Sequence, residues 1–133
     1  MIKLFIGGKG SGKTKALIEM CNKATEESKG SVVCIEKGDK LRLDITYKAR
    51  LIDTDTYAVT DAEALYGFIA GILASNNDIT DIFVDGTLKI CNQDIAAFEN
   101  ILARLDKLCA DIRIVLTVSV PVEECPAAIK AFA

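Results

Sequence analysis

Residues 7–14 read Gly7-Gly8-Lys9-Gly10-Ser11-Gly12-Lys13-Thr14, a glycine-rich run closed by a lysine and a hydroxyl, and the chemistry such a run could do is phosphate binding. Glycines at 7, 10 and 12 open backbone conformations closed to residues with a Cβ, so successive N–H groups can turn inward as a nest for phosphate oxygens. Lys13 would reach the outer phosphates, and the Thr14 hydroxyl would hold Mg²⁺. The expected binding stretch takes in Gly7, Gly8, Lys9, Gly10, Ser11, Gly12, Lys13, Thr14 and Lys15. The plainer alternative is a turn that merely joins a strand to a helix.

Other residues able to act with this loop lie far along the chain. Ile82-Phe83-Val84-Asp85 is an aliphatic run ending in aspartate, the form expected of an acid that shares the Mg²⁺ shell with Thr14. The competing reading is an aspartate that caps the Asp85-Gly86 turn. Glu36 ends Val33-Cys34-Ile35 in the same way, as a base for an attacking water or as a surface glutamate paired with Lys37 or Lys40. Thr117 and Ser119 offer hydroxyls near the end of a later apolar run. Arg42 and Arg50 could face phosphates or be ordinary solvated charges.

The elements that must position these groups follow from apolar periodicity. Ile2, Leu4, Phe5 and Ile6 read as a buried strand, and Ala16, Leu17, Met20, Cys21 and Ala24 recur at helical spacing until Gly30. Further strands are expected at 31–35, 51–52, 82–84 and 112–120, the last stopped by Pro121. Thr60-Asp61-Ala62-Glu63 has the capping-box pattern, with the Thr60 hydroxyl as N-cap of a helix whose buried side is Leu65, Phe68, Ile69, Ile72 and Leu73. Ile95, Phe98, Ile101, Leu102, Leu105 and Leu108 mark another helix, and 127–133 a short closing one. Residues 37–48 fit either period; alternation of Leu41, Leu43 and Ile45 favours an extended or hairpin segment, while Leu41, Ile45 and Ala49 also share a helical face. Residues 53–56 read as a polar loop.

Strands alternating with helices predict a three-layer α/β/α sandwich around a mainly parallel sheet of about five strands. Ligands of such sheets sit at the carboxyl ends of the strands, which gathers Gly7–Thr14, Glu36, Asp85 and Thr117–Ser119 at one edge.

The composition narrows the chemistry. With 133 residues, 50% of them hydrophobic and 26% charged, the chain is expected to be one soluble domain. A net charge of −3 gives no bulk attraction for nucleic acid. No apolar run reaches about 18 residues, so no membrane insertion is expected, and the reading is cytoplasmic. The chain has no histidine, which removes imidazole bases and ligands. Cys21, Cys34, Cys91, Cys109 and Cys125 are odd in number and never form a C-x-x-C pair, so they are expected to pack as small core residues.

On these motifs the chain resembles a P-loop NTPase, with Gly7–Thr14 matching the Walker A segment and Ile82–Asp85 the Walker B segment. The resemblance implies the P-loop fold over the whole domain, with ATP and Mg²⁺ as cofactors. Gly86 stands where many ATPases of the branch with an additional catalytic glutamate carry that residue directly after the aspartate. Glu36 is similar in placement to the catalytic glutamate of RecA-like ATPases, and Thr117 and Ser119 resemble a polar sensor on a strand beside the Walker A strand. The resemblance therefore implies Lys13, Glu36 and Asp85 as catalytic residues, Thr14 and Asp85 as metal ligands, and ATP hydrolysis by a subunit or switch that works with a protein partner or a second copy. The alternatives are a small nucleoside or nucleotide kinase and a sensor that binds nucleotide without turnover.

Overall fold

Five strands form one all-parallel sheet in the computed structural model, which describes residues 1–133. They are Ile2–Gly7 (β1), Ser31–Glu36 (β2), Ala49–Asp53 (β3), Ile79–Val84 (β4) and Arg113–Ser119 (β5), in the spatial order β1-β5-β4-β2-β3. The helices are Lys13–Glu27 (α1), Ala62–Ser75 (α2), Thr87–Ile90 (α3), Ile95–Leu108 (α4) and Ala127–Lys130 (α5).

Side chains of the strands alternate between two cores, as the period of two requires. Cys34, Phe83 and Val115 face α1, which contributes Leu17, Cys21 and Ala24. Their neighbours Val33, Ile35, Ile82, Val84, Ile114 and Leu116 face the opposite way, where α2 and α4 supply Leu65, Ile69, Phe98, Ile101 and Leu105. The expected three-layer α/β/α arrangement is therefore present. Each fully buried Leu, Ile or Phe contributes about 1.5–3 kcal/mol, so the helices are fixed against the sheet on both sides. All five cysteines are buried free thiols within these cores, as their scatter along the sequence predicts.

The expectation for residues 37–48 is corrected. β2 and β3 are parallel neighbours, with Cys34 opposite Leu51, and parallel neighbours need a crossover of about a dozen residues rather than a hairpin. The segment makes that crossover as a chain of turns. Leu41 and Ile45 bury against α1's core while Leu43 is 91% exposed, so the helical spacing, not the alternation, carries the burial. Asn22 on α1 fastens the crossover with both ends of its amide: Nδ2 donates to the Asp44 carbonyl at 2.8 Å, and Oδ1 accepts from Thr46 N–H at 2.9 Å.

Two smaller corrections concern caps. Asp61, not Thr60, is the N-cap of α2, its carboxylate accepting the Ala64 N–H at 2.8 Å. The polar stretch after β3 is a 3₁₀ turn, Thr54–Tyr57, capped by Asp53. Both follow from the short aspartate side chain reaching the orphan N–H groups of a first turn.

Candidate functional site

β1 ends in the glycine loop, and α1 begins where the loop ends. Gly10 and Gly12 hold φ of 80° and 87°, a left-handed backbone that favours glycine, and Gly12 directly precedes the first residue of α1. At Gly7 a side chain would meet Ser11 Oγ at 2.5 Å, so the loop closes tightly on its own first residue. The Lys13 ammonium lies back over the loop, donating to the Gly8 carbonyl at 3.0 Å. The unpaired first-turn N–H groups of a fifteen-residue helix and this ammonium together favour an anion.

Topology brings the distant candidates to the same place. β5 lies between β1 and β4, with Gly7 opposite Ser119 and Val84 opposite Leu116. Asp85, at the end of β4, thereby receives the Thr117 hydroxyl at 2.8 Å and the Thr14 hydroxyl at 3.1 Å, both on Oδ1. Thr117 in turn accepts the Gly86 N–H at 2.8 Å. A hydroxyl has one donor and two acceptor sites, so Thr14 gives its proton to Asp85 and keeps its lone pairs for a cation, while Asp85 Oδ2 makes no protein hydrogen bond.

These groups line a cleft of about 460 Å³, together with Lys9, Lys89, Gln93 and Ser119. Lys9, Lys13 and Lys89 line it with Asp85 as its one acid, so its balance is cationic in a chain whose net charge is −3. A second recess, lined by Leu4, Phe5, Ile6 and Val122 together with Ser11–Lys13 and Lys130, is largely apolar.

Hard oxygen donors suit Mg²⁺, which is held by one or two protein oxygens with substrate phosphates and water completing its shell. Thr14 Oγ1 and the Asp85 carboxylate, adjacent and facing the cleft, fit that role. No cluster of three or more Cys, Asp or Glu side chains forms a cage for another metal. No cysteine lines the cleft, and burial pushes Cys91 up to about 12 and Cys109 up to about 11.

Glu36 is placed differently from the other candidates. It ends β2 and is 3% exposed, and it does not line the cleft. Its Oε2 accepts the Leu41 N–H at 2.9 Å, which ties the crossover to the sheet. Burial raises its carboxyl above the ordinary 4.5, the Leu41 N–H partly offsets this, and the nearby Asp85 charge adds to the rise. Neither of the suggested lysine partners pairs with it; Lys37 bonds Asp55 at 2.6 Å instead. Arg42 and Arg50 are exposed, unpaired and outside the cleft. Lys15, one residue into α1 beyond Thr14, is exposed and also outside it.

Sequence reasoning did not find Lys89 and Gln93. Both come from the short helix α3 and the turn after it, where Asn92 and Gln93 hold φ of 57° and 58°. Consecutive left-handed residues other than glycine are uncommon, and no pattern in the sequence marks them. No helix is long and apolar enough to cross a membrane. Comparison with known proteins returns no matching family model and no matching curated protein.

Proposed function

We propose that this chain is a small P-loop NTPase that binds Mg-ATP in the cleft between the glycine loop and Asp85 and hydrolyses the γ-phosphate, serving as a subunit or switch for a protein partner or a second copy. The observation that carries the reading is the meeting of Thr14, Asp85 and Thr117, residues from three separate elements, beside the glycine loop. A structural turn has no need of that convergence, whereas a triphosphate with its cation has.

In this reading the loop N–H groups and Lys13 bind the phosphates, and Thr14 and Asp85 hold the cation. Mg²⁺, when bound, neutralises charge between the outer phosphates. Thr117 fixes the Asp85 carboxylate, and the apolar recess by Phe5 and Val122 offers the contacts a purine base needs. Glu36 would act as base by turning its carboxylate from the Leu41 N–H toward a water.

That same hydrogen bond favours a second reading, a sensor that binds nucleotide and changes shape without turnover. Glu36→Gln separates them. In an ATPase based on Glu36 the variant loses phosphate release and keeps Mg-ATP binding; turnover unchanged in the variant removes Glu36 as the base, and no turnover in the wild type under any assembly condition leaves the sensor.

A further inference from the structure

Leu43 and Tyr47 are 91% and 92% exposed, more than any other large apolar side chain of the protein. Both lie in the crossover between β2 and β3, and that segment is fastened at several points. Leu41 and Ile45 are buried in α1's core, Glu36 holds the Leu41 N–H, and the Asn22 amide holds Asp44 and Thr46. The turns between these anchors therefore carry Leu43 and Tyr47 outward on a fixed frame, and an apolar knob that is already ordered loses little freedom on docking. Burying Leu43 alone would contribute about 1.5–3 kcal/mol.

Charge points to what covers the knob. Arg42 and Lys48 stand beside Leu43 and Tyr47 and make no ion pair. Lys37, Lys40, Arg42, Lys48 and Arg50 outweigh Asp39 and Asp44 over residues 37–50, in a chain whose net charge is −3, so the rest of the molecule is acidic. Two knobs brought face to face would set like charges together, whereas the knob of one copy against the acidic surface of another sets opposite ones together.

The matching surface lies at the other edge of the sheet. Val122 is 50% exposed and borders the apolar recess beside β1, and the two residues that follow it, Glu123 and Glu124, are exposed and make no ion pair. Lys130 shares the lining, so the acids act at the Val122 rim. The order β1-β5-β4-β2-β3 makes β1 and β3 the two edges, about 19 Å apart at the usual strand spacing, so a knob beside β3 does not reach the recess of its own chain.

We infer that the Leu43–Tyr47 knob of one copy seats in the recess by Val122 of a second copy, with Arg42 and Lys48 against the Glu123 and Glu124 side chains, a head-to-tail contact that can repeat from copy to copy. A purine base at Phe5 and Val122 would use the same recess, so, on the nucleotide reading, a bound nucleotide and this contact exclude one another.

The test is sedimentation of the full chain over a range of micromolar concentrations, at low salt and without nucleotide. The wild type should form dimers and larger species as concentration rises. Leu43→Ser/Tyr47→Ser, Arg42→Glu/Lys48→Glu and Glu123→Lys/Glu124→Lys should each weaken association at least about tenfold, and Lys107→Glu on α4 should not. Mixing the two charge-reversed variants sets opposite charges together at every contact and should restore association. A folded wild type that stays monomeric, association untouched by the knob variants, or a mixture no more associated than its parts overturns the proposal. Mg-ATP should dissociate the wild-type assembly, and Mg-ATP that binds while the assembly stays intact contradicts the exclusion. Nucleotide binding measured on the folded monomer separates a failure of the contact from a failure of the nucleotide reading.

Discussion

The Thr117 hydroxyl donates to Asp85 Oδ1 at 2.8 Å and accepts the Gly86 N–H at 2.8 Å, so one buried side chain on β5 fixes both the acid at the end of β4 and the turn that follows it. Thr117 is 1% exposed, and valine has nearly its shape without the hydroxyl. Thr117→Val would leave the Gly86 N–H unpaired and free the Asp85 carboxylate to rotate. The expected result in urea denaturation is a loss of about 1–3 kcal/mol. In titrations, Mg-ATP affinity should fall while affinity for ATP without Mg²⁺ changes less, and Thr117→Ser should restore both. Equal loss with and without Mg²⁺ would contradict a role for Thr117 in placing the cation ligand, and unchanged affinity would assign it a role in stability alone.

Glu36 gives a pH dependence with a definite sign. Its folded carboxyl lies above the ordinary 4.5 because burial disfavours the charged form, so the folded chain holds this proton more tightly than the unfolded chain. Its contribution to stability is present below 4.5 and is lost as pH rises through the folded value. Relative to Glu36→Gln, the wild type should therefore gain stability on acidification from neutral pH toward 4.5. Denaturation curves of the two proteins across that range check this, and a constant difference between them would contradict it.

Asn22 tests the crossover. Its amide holds Asp44 and Thr46 at once, and Asn22→Ala removes both bonds without touching the cleft. A loss of about 1–2 kcal/mol is expected, with faster hydrogen exchange at the Thr46 amide and nucleotide binding little changed. If Thr46 exchange stays slow, the crossover is held by the burial of Leu41 and Ile45 alone.

The order of elements was readable because the strands are nearly continuous apolar runs and the longer helices carry strong periodicity, as at Phe98, Ile101, Leu102 and Leu105. The sequence order of Asp85, Thr117 and the glycine loop, with the carboxyl-end rule for parallel sheets, was enough to expect them together. Residues 37–48 were misjudged because Leu41 and Ile45 satisfy a helical period while Leu43 supplies a misleading alternation, and only the parallel pairing of β2 with β3 decides between them. Glu36 read equally as a base for water and as a surface acid, and its burial was not legible because nothing in its neighbours reveals that the next turn folds its Leu41 N–H back onto the carboxylate. Lys89 left no signal because helix α3, which carries it, is too short to show a period.

Calorimetric titration of Mg-ATP and Mg-GTP into the wild type and Lys13→Ala, with phosphate release followed in the same samples, bears most directly on the proposed nucleotide site. Lys13 reaches only the Gly8 carbonyl and Ser11 within the loop, so its removal leaves the two cores intact. Binding of Mg-ATP by the wild type and its loss in a folded Lys13→Ala variant is the expected result. Equal binding by both proteins, or no binding of either nucleotide by the folded wild type, would contradict a phosphate site at this loop.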